Sequence, residues 1–345
     1  MAVKNTDRML DLSRDLSTTG APQSGGSGGR RNLIINGAMR IHQRGGTTSI
    51  TSTALYTLDR FKGAVGGSYI VGADITQDSD APDGFSKSLK VDITSTSTPA
   101  TSNNFLIEYR TESQDMLHLD YGSPTAKYLT LSFWVKSNKT GTYSFAILHH
   151  GKTRNWLSSY TIDAADTWEY KTILIDPDTS TAFDDDAEVA FRLNWHLSTG
   201  PDDLVAAHAW AASGDYQSVT GQVNLCDSTS NYWQITGVQL EVGDTATPFE
   251  HRSYGQELAL CQRYYVKDVG ETLPGPYVDS GGPVGASAYA NWMLPVDMRA
   301  GPTCTFSVTN ITSYSTRKSN KRAISFLGTA TGTAYINSWT ADAEL

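Results

Sequence analysis

Three cysteines in 345 residues, Cys226, Cys261 and Cys304, are too few and too widely spaced for a disulfide framework, and none has zinc-ligand spacing. They are read as reduced and structural. Charge is scarce as well, at 18% of residues against roughly 25% in ordinary soluble domains. Cations are the scarcer sign: 27 Lys+Arg face 36 Asp+Glu, for a net charge of −9. That balance argues against a nucleic-acid partner, because phosphate neutralisation needs clustered positive charge. Long apolar runs are missing too. The most apolar-looking stretch, residues 204–212, carries His208 and falls far short of the roughly 20 residues of a membrane span. Residues 1–16 lack the apolar core of a secretory signal, so a protein made and kept in solution is expected.

Catalytic motifs are absent in the same way. There is no H-E-x-x-H, no G-x-x-x-x-G-K-[ST] and no G-x-G-x-x-G after a strand pattern. Gly25-Gly-Ser-Gly-Gly29 spells G-x-S-x-G, but no apolar strand precedes it and no helix follows, so it is a linker. Asp78-Ser-Asp80-Ala-Pro-Asp83-Gly84 breaks the spacing of a calcium loop, and Leu89 stands where the bidentate Glu belongs. Asp184, Asp185, Asp186 and Glu188, with Asp202 and Asp203, leave a structural calcium site open as an alternative to solvated loop charge. No catalytic residue, no metal ligand set and no other cofactor is assigned.

What the chain does have is hydroxyls and β-pattern: 35 Ser and 40 Thr replace charge, and 39% hydrophobic residues suffice for a core. Its length allows two or three domains. Residues 1–31 stand apart, a short charged segment running into the flexible Gly20–Gly29 linker. Within it Met9, Leu12 and Leu16 follow i, i+3, i+7, an amphipathic pattern that fits either a frayed terminus or a docking peptide that orders on a larger partner.

From residue 32 to 256 the period is two. Leu129/Leu131/Phe133/Val135 alternate with polar or aromatic neighbours, as do Leu89/Val91/Ile93, Tyr143/Phe145/Ile147, Trp168/Tyr170/Thr172/Leu174 and Val189/Phe191/Leu193/Trp195. Trp233 and Ile235 continue the theme until Gly237 shifts the phase to Val238, Leu240 and Val242, as a bulge would. Pro248 is expected to end this strand, Phe249 to seal the sandwich end, and Asp59-Arg60 to form a partly buried pair. The fold class expected is all-β: an antiparallel jelly-roll sandwich over 32–256. A short exit helix over 257–267 leads to a smaller C-terminal β-module over 268–345, whose strands include 288–293, 304–309 and 323–327. Charge divides as 5 − 3 = +2 for residues 1–31, 15 − 26 = −11 for 32–256 and 7 − 7 = 0 for 257–345.

Several segments resemble a known family. Asn32-Leu-Ile-Ile-Asn-Gly37, Gln43-Arg-Gly45 and Tyr56-Thr-Leu-Asp-Arg-Phe61 look like the opening of many bacteriophage tail-fibre and virion-surface proteins. Tyr232-Trp-Gln-Ile-Thr-Gly-Val-Gln-Leu-Glu241, Ala246-Thr-Pro-Phe-Glu250, Arg252, Glu257 and Cys261-Gln-Arg-Tyr-Tyr265 resemble the closing strand and exit helix of the same carbohydrate-binding-module-like jelly roll. Phe133-Trp-Val-Lys136 is similar to its middle, and Leu294-Pro-Val-Asp-Met-Arg-Ala-Gly-Pro302 to the β-module that follows. The resemblance spans residues 32 to about 310. It implies a structural virion protein, assembled in the host cytoplasm, that is a homotrimer, docks on tail, neck or capsid through residues 1–31, and contacts host surface polysaccharide. A capsid or neck decoration protein and a glycan depolymerase are the alternatives.

Sugars are held by aromatic faces and a few polar groups, and the chain has 8 Trp and 17 Tyr. The glycan-binding candidates are Trp156 with Arg154 and Asn155, Trp210 near His208, and Trp292 with Asn291. His149-His150 and Asn194-Trp195-His196 are weaker candidates, and Trp134 and Trp195 read as packing. Arg317-Lys-Ser-Asn-Lys-Arg322 is the only basic cluster, expected on a hairpin loop, as a solvated turn or as a contact for anionic surface glycans or lipid phosphates.

Overall fold

The computed structural model describes residues 30–149, 151, 154–212, 217–268 and 287–345. Met9, Leu12 and Leu16, and with them the docking peptide, lie outside the described residues, as does His150. In chain order the first strands are β1 (Thr48–Ile50), β2 (Leu55–Tyr56), β3 (Phe61–Gly66), β4 (Gly72–Asp78), β5 (Ser88–Ser95) and β6 (Asn104–Glu112). There follow β7 (Leu129–Ser137), β8 (Gly141–His149), β9 (Arg154–Ile162), β10 (Glu169–Ile175) and β11 (Val189–Thr199). The sandwich closes with β12 (Leu204–Val205), β13 (His208–Ala212), β14 (Ser218–Val219) and β15 (Tyr232–Val242). A helix, α1 (Tyr254–Gln262), leads to β16 (Tyr265–Asp268), β17 (Ser287–Met293), β18 (Thr303–Ser319) and β19 (Ala323–Asp342).

Two antiparallel sheets, ordered β1-β4-β5-β15-β7-β10 and β13-β9-β8-β11-β6-β3-β2, pack face to face as a jelly-roll sandwich. Leu89, Val91, Ile93, Leu129, Leu131, Phe133 and Val135 from one sheet meet Tyr143, Phe145, Ile147, Phe191, Leu193 and Trp195 from the other in one core. Gly237 is a bulge: its φ is +62°, and the β15–β7 register shifts between Thr236 and Gln239.

One strand has the opposite phase from that expected. In β10 Tyr170, Thr172 and Leu174 face outward, while Ile173 and Ile175 are buried opposite Leu131 and Leu129 of β7. The strand is apolar on both sides near its end, so pairing rather than pattern decides which side is inside. Tyr170 packs on Trp134 of the outer surface, with ring centres 5.3 Å apart.

The opening and closing segments clamp each other. The Asn32 side chain accepts from Ile34 and Leu240 N–H (2.9 and 3.1 Å) and donates to the Val238 carbonyl (3.0 Å). Glu250 accepts from Asn32 N–H at 2.7 Å, and Arg252 donates to the carbonyls of Asn32 and Ile34. Gly37 passes so close to β15 that a Cβ there would sit 2.1 Å from the Val238 carbonyl oxygen. Arg31, expected in the linker, already donates to the Pro248 carbonyl at 2.5 Å. β15 ends at Val242, well before Pro248, and Phe249 is a half-buried ring against Phe85 and His251 rather than a seal on the core.

The helix also begins earlier than expected. Ser253 accepts from Gln256 N–H, and the Gln256 side chain returns to Ser253 N–H, a capping box that starts the helix at Tyr254. It stops at Gln262, and residues 265–267, expected as helix, are strand. Arg263 then reaches Glu112 with two bonds, 2.9 and 2.8 Å.

The C-terminal strands are longer than the sequence suggests. β18 and β19 form a bulged hairpin with β16 and β17 on the far edge of β19, around a separate core that includes Phe306, Phe326, Ile336 and Trp339. Asp59 and Arg60 are both buried but do not pair with each other. Asp59 accepts from Gln43 (2.5 and 2.7 Å), whereas Arg60 pairs with Glu344 at the end of β19's chain and lies 3.5 Å from the Tyr264 ring centre. This latch joins the small module to the sandwich, helped by Tyr56 and Arg110, which donate to the main-chain oxygen of Leu345 at 2.6 and 2.7 Å.

Candidate functional site

Arg154, Trp156 and Trp210 do meet, at one end of the sandwich, but as a structural knot. They lie on β9 and β13. Arg154 forks onto the buried Asp178 carboxylate (2.9 and 3.0 Å) and donates to the Trp210 carbonyl. The Trp156 indole is buried and donates to Asp176 at 3.2 Å; that of Trp210 donates to the Asp176 carbonyl at 2.6 Å. Trp210 also stacks on Phe191, so neither ring is a free platform. Asn155 points to the other side of the sheet, buried, and donates to Gln217. Trp292 faces inward between Phe306 and Trp339, while Asn291 is exposed on the opposite face of β17. Beside the knot a cavity of about 240 Å³ is lined by Ser113, His149, Asp184, Asp186 and Glu188. Among the described residues no group of three or more His, Cys, Asp or Glu is arranged to hold a metal ion.

A different constellation stands out on the outer face of the seven-stranded sheet. Alternation puts Phe105, Ile107 and Tyr109 of β6 and Leu193 and Trp195 of β11 in the core. Glu108, Asn194 and His196 therefore project to the far side. The register aligns Lys62, Glu108, Asn194 and Ala146 in one row across four strands. One Glu108 oxygen accepts from Arg110 at 2.7 Å, with Lys62 3.8 Å away; the other has no partner. Asn194 is 1% exposed and neither of its amide atoms is paired. His196 is fully buried, its Nε2 unpartnered, and burial pushes its pKa down to about 3, so the ring is neutral. Each such orphan costs roughly 1–3 kcal/mol, which a fold tolerates where a ligand supplies the missing bonds.

Two segments wall this floor. Residues 204–205 and 217–222 lie against β8 and β9: Val219 N–H donates to Ser144 Oγ (2.8 Å), Gln222 spans Ser144 N–H and the His196 carbonyl, and Val205 and Val219 pack on Ala146 and Leu157. On the other side lie Arg110, Tyr56 and Leu345. The floor thus offers a carboxylate oxygen, an amide donor and acceptor, and an imidazole nitrogen, a set that matches adjacent sugar hydroxyls. Sequence reading ranked Asn194 and His196 as weak and passed over Glu108. The polar positions at 108 and 110, and at 192, 194 and 196, were visible, but the same alternation describes any solvated strand face.

No family model matches the chain, and no curated protein matches it. Among solved structures the chain is distantly similar to the enzymatically active domain of bacteriophage CBA120 tailspike protein 4, at 14% identity and TM-score 0.34. That match covers 61% of this chain and 21% of the tailspike domain, so the chain spans about a fifth of its length. It is also similar to the family 11 carbohydrate-binding module of Clostridium thermocellum, solved with a β-1,3-1,4-mixed-linked tetrasaccharide. There identity is 12% and TM-score 0.30, over 58% of this chain and all of the module.

Proposed function

We propose that this protein is a non-enzymatic, glycan-binding surface component of a tailed bacteriophage, a tail fibre whose sandwich contacts host surface polysaccharide. The observation that carries the binding reading is Asn194: a side chain 1% exposed with a wholly unpaired amide, between Glu108 and His196 atoms that also lack partners. Sugar hydroxyls supply the bonds that these atoms lack. Residues 1–31, with Met9, Leu12 and Leu16, dock the chain on other virion proteins. Several copies, three in a homotrimer, compensate weak single-site affinity by avidity.

The test uses the full chain, purified host polysaccharide and the variant Asn194→Leu. Because leucine removes two unpaired buried polar atoms, the variant should be as stable as wild type or up to ~2 kcal/mol more stable, yet lose retention on the glycan. Retention on glycan of unchanged length is expected of wild type; shortening of the glycan would establish a depolymerase instead. Absence of retention would leave a capsid or neck decoration role, and a destabilised Asn194→Leu would show that the amide serves the fold.

A further inference from the structure

The C-terminal module carries a second, separate feature at the turn between β18 and β19. The turn is rigid. The Asn320 side chain accepts from the N–H groups of Arg322 and Ala323 (2.8 and 2.9 Å), and Leu294 and Met298 N–H donate to the carbonyls of Arg322 and Lys321, both at 2.8 Å. Ser319 Oγ donates to the Pro302 carbonyl at 2.8 Å. Four cations crowd this turn. Arg322 is neutralised by Asp297 at 2.9 Å, whereas Arg317, Lys318 and Lys321 are exposed and have no acidic partner among the described residues.

An aromatic ring lies beside them. The Arg317 guanidinium is 5.5 Å from the centre of the Tyr289 ring, which is 53% exposed. Register places Asn291, Ser325 and Lys318 in one row across β17, β19 and β18, next to the row that contains Tyr289. One outer face therefore presents a ring, an amide and three unneutralised cations on stiff backbone. The chain carries −9 overall and −11 over residues 32–256, so an anionic surface repels the sandwich and attracts this turn. Within a Debye length of about 8 Å the local charge decides which end approaches.

We infer that this turn is a binding site for anionic polysaccharide. Carboxylate or phosphate groups lie on Arg317, Lys318 and Lys321, and a sugar ring lies against Tyr289 and Asn291. The site is independent of the Asn194 floor and stands or falls separately. The full chain is tested on immobilised polygalacturonate, on its neutral methyl ester and on polyphosphate. Wild type should be retained by one or both anionic probes, which identifies the group recognised, and should be released by added NaCl. The variant R317S/K318S/K321S should bind at least tenfold more weakly with an unchanged melting temperature, and Tyr289→Ala should weaken retention only on the sugar polymer. Asn194→Leu should bind the anionic probes as wild type does. Equal binding by the triple variant, equal binding to the methyl ester, or no retention of wild type on either anionic probe would overturn the inference.

Discussion

Replacing Glu344 by Gln removes the one carboxylate paired with Arg60 among the described residues, and the structure sets the size of the effect. The Arg60 and Glu344 side chains are 1% and 2% exposed, and Arg44 lies 3.4 Å from the same carboxylate. Burial pushes the Glu344 carboxyl up, and Arg60 and Arg44 pull it back. Without the anion, Arg60 keeps the Arg110 carbonyl (2.5 Å), the Tyr264 and Tyr109 faces and a neutral amide oxygen at position 344, and a buried guanidinium is left without a counter-charge. Breaking such a pair on one side costs ~3–5 kcal/mol. With an unfolding entropy of ~2.1 cal/mol/K per residue over a unit of roughly 300 residues, that is a fall in melting temperature of about 5–8 °C. If the C-terminal module unfolds first, the loss falls on its own smaller, earlier transition and shifts that melting temperature further. The double variant R60M/E344M removes both charges together with their desolvation, and should return to within ~2 kcal/mol of wild type. Calorimetry at constant pH follows both. A single variant within ~1 kcal/mol of wild type, or a double variant as unstable as the single one, would refute the latch.

Other expectations follow from single sites. His196 has a folded pKa of about 3 against 6.5 when unfolded, so its neutral ring costs nothing above pH 6.5. Below that the unfolded chain takes up a proton the fold refuses, and stability falls by ~1.4 kcal/mol per pH unit, about 2 kcal/mol by pH 5. Denaturant unfolding across pH 7 to 4 should show this slope in wild type and its loss in His196→Asn; parallel curves would disprove it. Gly237→Ala puts a Cβ 2.7 Å from Phe85 at φ +62° and should cost ~1–3 kcal/mol by denaturant titration, whereas Gly255, with open space around it, should tolerate Ala. Ser253→Ala should cost ~1 kcal/mol by removing the cap of α1, with Ser253→Gly milder, as thermal scans would show.

Sequence alone determined the class of fold. Period-two runs such as Leu129–Val135 and Phe191–Trp195 have only one way to bury their large side chains, and Gly237 announced its bulge because a phase change needs a residue that accepts positive φ. The segments at 32–37 and 238–252, legible as an opening and a close, turned out to fasten each other, a contact no local pattern records. Tertiary structure decided what depends on a distant partner. In β10 the apolar residues on both sides left the phase to pairing with β7. The Ser- and Thr-rich residues 310–319 became strand through bulged pairing with β19, which no local periodicity records. Arg60 found Glu344 across 284 residues, not its neighbour Asp59, and Arg154 found Asp178 instead of a sugar. Asn194 and Glu108, apart in sequence, became neighbours only because β11 lies beside β6. Local pattern fixes which side chains turn inward, since that needs only the period of the strand. Which polar groups are buried together, and left without partners, is set by strand order and register, and these exist only once the sheets have formed.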